Sequence, residues 1–272
     1  MGRTTADRTV AVLAAAALAL GLAACSDAGP EEPSTQPTLT TATPTDELSQ
    51  AIEPRDPLPL TATDAFEERY RCFTELADAR WLAGESEGLD VGAALVGSGD
   101  RLVVVSHPAD KDACSVMFLA RRLVDDGYLV AVPVHRGGDP VALILGVVAH
   151  ARADGVEHVV LGGGSMGGVF AIAAAAELQP APDGVFALAP PDDFDPPGPP
   201  PRVEAVPAAA ALTSPLLLMV AEHDTALVQP AHDIAAAAGT EPVVTPGGGH
   251  AFDVLAVDGV LPQLLDFIAE PR

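Results

Sequence analysis

Basic residues are scarce in this 272-residue chain: 14 Lys and Arg stand against 38 Asp and Glu, a formal charge of −24. A body this acidic is repelled by nucleic acid and by anionic lipid headgroups, so neither is expected as a surface partner. Aromatic residues are scarce too, at 4%, which leaves Ala, Val and Leu to build the core; apolar residues in all make up 49%. No Gly-rich loop carries the lysine that grips nucleoside phosphates, and no Cys/His pairs recur at metal-ligand spacing, so neither a cofactor nor a metal is implied. The apolar run at 10–24 is too short, and too near the N-terminus, for a stable spanning helix. The length fits one domain of ordinary size plus extras.

What the sequence does have begins with that run. Arg3 and Arg8 precede it, giving the charged and apolar regions of a secretory signal. It closes on Leu22, Ala23, Ala24 and Cys25, which resembles the lipobox of bacterial lipoproteins. The resemblance implies a signal peptide at 1–24, acylation at Cys25, and an extracytoplasmic protein held to the membrane by an N-terminal lipid anchor. More than one acyl chain gives stable anchoring where a single chain does not. Residues 25–60 are rich in Thr and Pro and nearly free of large apolar side chains, so they are expected to be a disordered tether. Such a spacer spans about 30 Å as a coil and about 100 Å stretched. Two further cysteines, Cys72 and Cys114, form a disulfide or stay as two buried free thiols; an oxidising compartment invites the bond.

From 61 to 272 one domain is expected. Apolar stretches at 80–85, 89–96, 102–105, 128–134, 156–161, 185–188, 216–221 and 242–245 read as strands. Helical patterns fall at 64–77, 113–126, 141–153, 166–178, 231–238 and 261–269, and a Pro/Asp loop at 190–201. Strands alternating with helices after Leu102 demand a parallel sheet with helices on both faces, so the fold class is α/β, with a mostly parallel sheet of about eight strands. In such a sheet, sites form beyond the C-terminal strand ends.

One stretch lies at such an end. Val156 to Leu161 is an apolar strand, Gly162, Gly163, Gly164, Ser165, Met166, Gly167 and Gly168 form a turn, and an Ala-rich helix follows. Gly163, Ser165 and Gly167 match the nucleophile elbow, whose turn is so tight that only hydrogen fits beside the serine. The same letters spell a dinucleotide fingerprint in Gly162, Gly164 and Gly167, and a plain Gly-rich turn is the third reading. The fingerprint belongs on the first strand–helix unit and wants an acid about 20 residues on; Asp192 and Asp193 lie beyond Pro190 and Pro191 and fit poorly.

A serine hydroxyl needs a base, and the base needs an acid to fix its tautomer. Of seven histidines, His150 and His232 fall in helices and His158 in a strand, while His107, His135, His223 and His250 lie at strand ends. His250 follows the last strand in a Gly-rich loop, and Asp224 ends the strand before it; Glu222, Asp253, Asp192 and Asp193 are the competing acids. The order Ser165, Asp224, His250 is that of the α/β-hydrolase family. With the 102–107 strand ending in His107, the elbow, the 216–224 strand and Gly247–Gly248–Gly249–His250, the chain resembles small bacterial α/β-hydrolases of the esterase and dienelactone-hydrolase type.

That resemblance implies a Ser165 nucleophile, a His250 base, an Asp224 orienter, and a minimal lid. It also implies an oxyanion hole formed by the Met166 and Ala109 N–H groups, because the usual glycine position is Pro108, which has none. The activity implied is cleavage of a small-molecule ester, or less readily a thioester or amide, through an acyl-serine. A non-catalytic surface lipoprotein that binds a ligand or partner, and an envelope acyltransferase, are the alternatives.

Overall fold

The computed structural model describes residues 54–195 and 202–270. Its elements in chain order are β1 (Thr61–Thr63), β2 (Arg80–Ser86), β3 (Leu89–Val96), β4 (Arg101–Ser106), α1 (Met117–Asp125), β5 (Leu129–Val134), α2 (Pro140–Ala153), β6 (His158–Gly164) and α3 (Met166–Glu177). Then come β7 (Gly184–Leu188), β8 (Asp193–Phe194), β9 (Val203–Glu204), α4 (Ala205–Ala210), β10 (Leu216–Ala221), α5 (Thr225–Ala237), β11 (Val243–Thr245) and α6 (Val260–Ala269).

The main sheet runs β1-β2-β3-β5-β4-β6-β7-β10-β11. The first three strands are antiparallel to their neighbours, and the six from β5 to β11 are parallel. It has nine strands rather than about eight, because β1 adds to the antiparallel edge. The central strands are short runs of Val, Leu and Ala buried on both faces, which is what a sheet covered by helices on each side requires. Right-handed crossovers decide which face each helix takes. The chain steps from β4 to β5 in one direction, so α1 lies on one face, later joined by α6. It then reverses across β4 to β6 and keeps going, which puts α2, α3, α4 and α5 on the other.

Parallel pairing brings the strand ends level. Ser106 of β4 sits opposite Gly163, Gly164 opposite Leu188 of β7, and Ala221 of β10 opposite Thr245 of β11. The segments that follow these strands therefore emerge on one edge.

Several expectations are corrected. The folded body starts before 61: the Leu58 N–H donates to the Ala142 carbonyl at 3.1 Å, and Arg55 pairs with Asp139 and Glu177. Gly146 makes room, since a Cβ there would lie 2.4 Å from the Leu58 oxygen. Residues 54–60 thus belong to the domain; the signal peptide, Cys25 and the rest of the tether lie outside the described residues. The helix expected over 64–77 is a 3-10 segment, Glu68–Glu75. α5 starts at Thr225 rather than near 231; before it, β8 falls within the expected 190–201 loop and pairs antiparallel with β9, and α4 occupies a stretch for which no element was expected. No described helix is long and apolar enough to cross a membrane.

Cys72 and Cys114 are bonded, with Cα atoms 6.1 Å apart. The bond joins the Glu68–Glu75 segment to the turn Ala113–Val116 that leads into α1. Tyr70 and Phe73 of the same segment are fully buried, and Tyr70 stacks on Trp81 at 5.5 Å.

Candidate active site

Ser165 sits between β6 and α3 with φ 51° and ψ −122°, a backbone conformation that costs a non-glycine residue about 1–3 kcal/mol. Its surroundings hold it there: the Ser165 N–H donates to the Leu188 carbonyl at 2.8 Å, and its own carbonyl accepts from the Gly168 N–H at 2.9 Å. The flanking glycines are required by close approach. A Cβ on Gly163 would lie 2.5 Å from the Gly167 carbonyl carbon, and one on Gly167 would lie 2.4 Å from the Ser106 oxygen. Gly162 has a separate role, giving its space to the Phe186 ring, which a Cβ would meet at 2.2 Å.

Asp224 follows β10, and His250 follows β11 through the Gly247–Gly249 loop. Three hydrogen bonds tie the two connections together. The Glu222 N–H donates to the Thr245 carbonyl at 2.9 Å, and the His223 N–H to the Gly247 carbonyl at 3.0 Å. In return the Gly247 N–H donates to Glu222 Oε1 at 2.8 Å. His250 Nδ1 then lies 2.7 Å from Asp224 Oδ2. An ionised carboxylate only accepts, so Nδ1 carries the proton and Nε2 presents a lone pair. Among the described residues Asp224 is the one of the five candidate acids that touches the imidazole. Glu222 is spent on Gly247, and Asp193 pairs with Arg202.

The loop after β11 also packs on the elbow. A Cβ on Gly164 would lie 2.8 Å from the Ala251 Cβ, so the residue after His250 rests against the residue before Ser165. Ala251 itself has φ 52°, a second strained non-glycine position at this edge. No hydrogen bond joins Ser165 to His250 in this structure; such bonds are often long in a site without substrate.

The expected oxyanion donors flank one cavity of about 400 Å³, lined by Met166, Ala109, His107, His135, Phe170 and Phe194. The peptide that carries the Ala109 N–H is held by His107. Its Nε2 accepts from the His135 N–H at 3.2 Å, which leaves the proton on Nδ1 to donate to the Pro108 carbonyl at 2.9 Å. Carbonyl and N–H point opposite ways across a trans peptide, so fixing the Pro108 oxygen fixes the Ala109 N–H. Burial lowers the His107 pKa and lowers that of His135 well below 6.5, His107 adding to the second effect. Both rings are neutral, as the bonding of His107 requires.

No protein-family model matches the chain, and no curated protein does. Solved structures do. Est1E from Butyrivibrio proteoclasticus is 16% identical with a TM-score of 0.54 over 70% of this chain and 99% of its own. A dienelactone hydrolase from Anabaena variabilis is 17% identical, with a TM-score of 0.53 over 69% of this chain and 93% of its own. The esterase domain of a Rhodothermus marinus protein is 19% identical, with a TM-score of 0.54 over 70% and 98%. The fold is the α/β-hydrolase fold.

Four of the other histidines neither line the cavity nor contact Asp224. His150, on α2, and His158, which opens β6, are near Asp154 at 3.8 Å and Asp183 at 3.5 Å respectively. His223 and His232 are exposed. His135, which the sequence places at a strand end, lines the cavity, 5.0 Å from the Phe170 ring. The part played by His107 went unread: a histidine directly before Pro108 was its only mark in the sequence.

Proposed function

We propose that the chain is a serine hydrolase of the carboxylesterase type. The observation that carries the reading is the 2.7 Å contact between His250 Nδ1 and Asp224 Oδ2, on adjacent strand ends beside the strained Ser165. The carboxylate keeps Nε2 free to take a proton and stabilises the imidazolium that results. Ser165 Oγ then attacks the ester carbonyl carbon while its proton passes to His250. The carbonyl oxygen, now negative, accepts from the Met166 and Ala109 N–H groups, fixed dipoles of the kind that supply much of such catalysis. Collapse breaks the bond to the alcohol oxygen, which takes the proton from His250. Water enters by the same route in reverse, and the acid leaves with Ser165 restored. An ester is favoured over an amide because its alkoxide leaves more easily. Export and anchoring through Cys25 are part of the same proposal. They rest on the leader sequence, and a disulfide suits the oxidising compartment they require.

A fluorophosphonate probe tests the mechanism. The wild type should label, and Ser165→Ala and His250→Ala should not. An unlabelled wild type refutes an enzyme and leaves the ligand-binding reading; labelling that survives Ser165→Ala refutes this serine. For the anchor, incorporation of an alkyne fatty acid should be lost in Cys25→Ala.

A further inference from the structure

We propose that Phe118 and Phe252 form the subsite for the alcohol half of the substrate, and that this alcohol is apolar and carries no negative charge, an arylalkyl group suiting it best. The inference rests on the acyl-serine reading.

A second cavity, of about 330 Å³, opens beside His250 and is lined by Pro108, Phe118, Phe252 and Asp253. It adjoins the cavity at the oxyanion donors: Lys111 lines both, while Pro108 and His250 line only this one and Ala109 and Met166 only the other. The chemistry assigns their contents. In acylation the imidazole that took the serine proton must hand it to the departing oxygen, so the alcohol has to lie within hydrogen-bond reach of His250 Nε2. The carbonyl oxygen must point at Met166 and Ala109. The alcohol therefore occupies the His250 side, and the acyl group is left with the cavity of Phe170 and Phe194.

The walls state what kind of alcohol fits. Phe118 and Phe252 meet edge to face, centroids 6.1 Å apart at 84°. Phe118 is 49% exposed, one of three large apolar side chains so open among the described residues, in a chain with only eight phenylalanines. An aromatic ring left in water beside the base gains burial once an apolar group covers it. Charge excludes one class of alcohol. Lys111 is 3.5 Å from the Asp110 carboxylate, and Asp253 adds a further negative charge. An anionic alcohol would meet net repulsion.

By microscopic reversibility the same pocket receives any acceptor that attacks the acyl-enzyme. Water gives the acid. An arylalkyl alcohol, losing its proton to His250 as its oxygen bonds to the acyl carbon, gives a new ester and frees Ser165.

The test compares methyl and phenethyl butyrate, which share an acyl group, in the wild type and in Phe118→Ala and Phe252→Ala. Fluorophosphonate titration gives the active fraction of each protein first. The expected result is that the kcat/KM preference for the phenethyl ester falls about tenfold in either variant, through KM, equivalent to about 1.4 kcal/mol. The preference among acetate, butyrate and hexanoate esters of one alcohol should stay unchanged, and Phe118→Trp should restore the phenethyl preference. Transfer of butyryl to added phenethyl alcohol rather than water should fall in step, a readout that simple loss of packing leaves alone. A wild type that does not label overturns this proposal together with the reading beneath it. Labelling with an unchanged ester ratio in both variants, or a shift in acyl preference instead, overturns the subsite alone.

Discussion

Breaking the Cys72–Cys114 bond should lower stability by an amount that loop length sets. The bond closes a loop with a sequence separation of 42, enclosing β2, β3 and β4. In the chain-entropy account, freeing a loop of that length gives the unfolded chain about 13 cal/mol/K, or about 4 kcal/mol at 25 °C. For a folded body of about 200 residues, each kcal/mol moves the midpoint by about 2–4 °C, so Tm should fall by about 8–16 °C. The site should survive at room temperature: the elbow, Asp224 and His250 lie outside the loop, and the Pro108–Ala109 peptide inside it is held by His107, itself bonded to His135. Differential scanning calorimetry of oxidised and reduced protein, with thiol titration to verify reduction, gives the shift. Cys72→Ala/Cys114→Ala repeats it without reductant and adds the small cost of two trimmed side chains. A shift under about 2 °C, with both thiols titrating, would refute the loop-entropy reasoning.

Two further predictions follow from the elbow and its neighbours. In Gly167→Ala the new methyl meets only backbone, 2.4 Å from the Ser106 oxygen and 2.8 Å from the His107 oxygen, so β4 has to move. Overpacking of this kind costs about 1–3 kcal/mol, and because the displaced segment carries the Pro108–Ala109 peptide, kcat should drop more than KM rises. Steady-state kinetics with a thermal melt check both; an unchanged kcat refutes the tight elbow. The pH prediction concerns His107 and His135, whose pKa values burial holds below 6.5 in the folded chain, the bond to the Pro108 carbonyl and then Asp112 opposing this at His107. The unfolded chain takes up protons near pH 6.5 and the folded chain resists until lower pH. Their contribution is therefore full above about pH 6.5, shrinks as the pH falls below it, and levels off past the depressed folded values. Urea midpoints between pH 7.5 and 5 should decline less steeply in His135→Gln than in the wild type; parallel curves refute the assignment.

Much of the fold was legible because its physics is local. A parallel strand covered on both faces must be a short unbroken apolar run, and β4 to β7 and β10 are such runs. The elbow was legible because its sterics fix glycine at set distances from the serine. Where elements went unread, they were held by the backbone or by distant partners. β1, a Thr-Ala-Thr edge strand, shows no apolar alternation and forms through its ladder with β2. Residues 54–60 have nothing to announce a fold, yet Arg55 finds Glu177 122 residues away. The first turns of α5 carry Pro230, which masks a helix that starts directly after Asp224.

By itself the sequence determined the α/β alternation, the serine turn, and the order in which a base and an acid arrive at strand ends. Each is a matter of residue type at short range. Only the tertiary structure decided which of five carboxylates meets His250, that His107 braces the peptide of Ala109, and that two cavities adjoin along the segment from Pro108 to Lys111. These depend on loops from β4, β5, β10 and β11 being brought to one edge by the register of the sheet. No spacing along the chain encodes a distance that a parallel ladder alone creates.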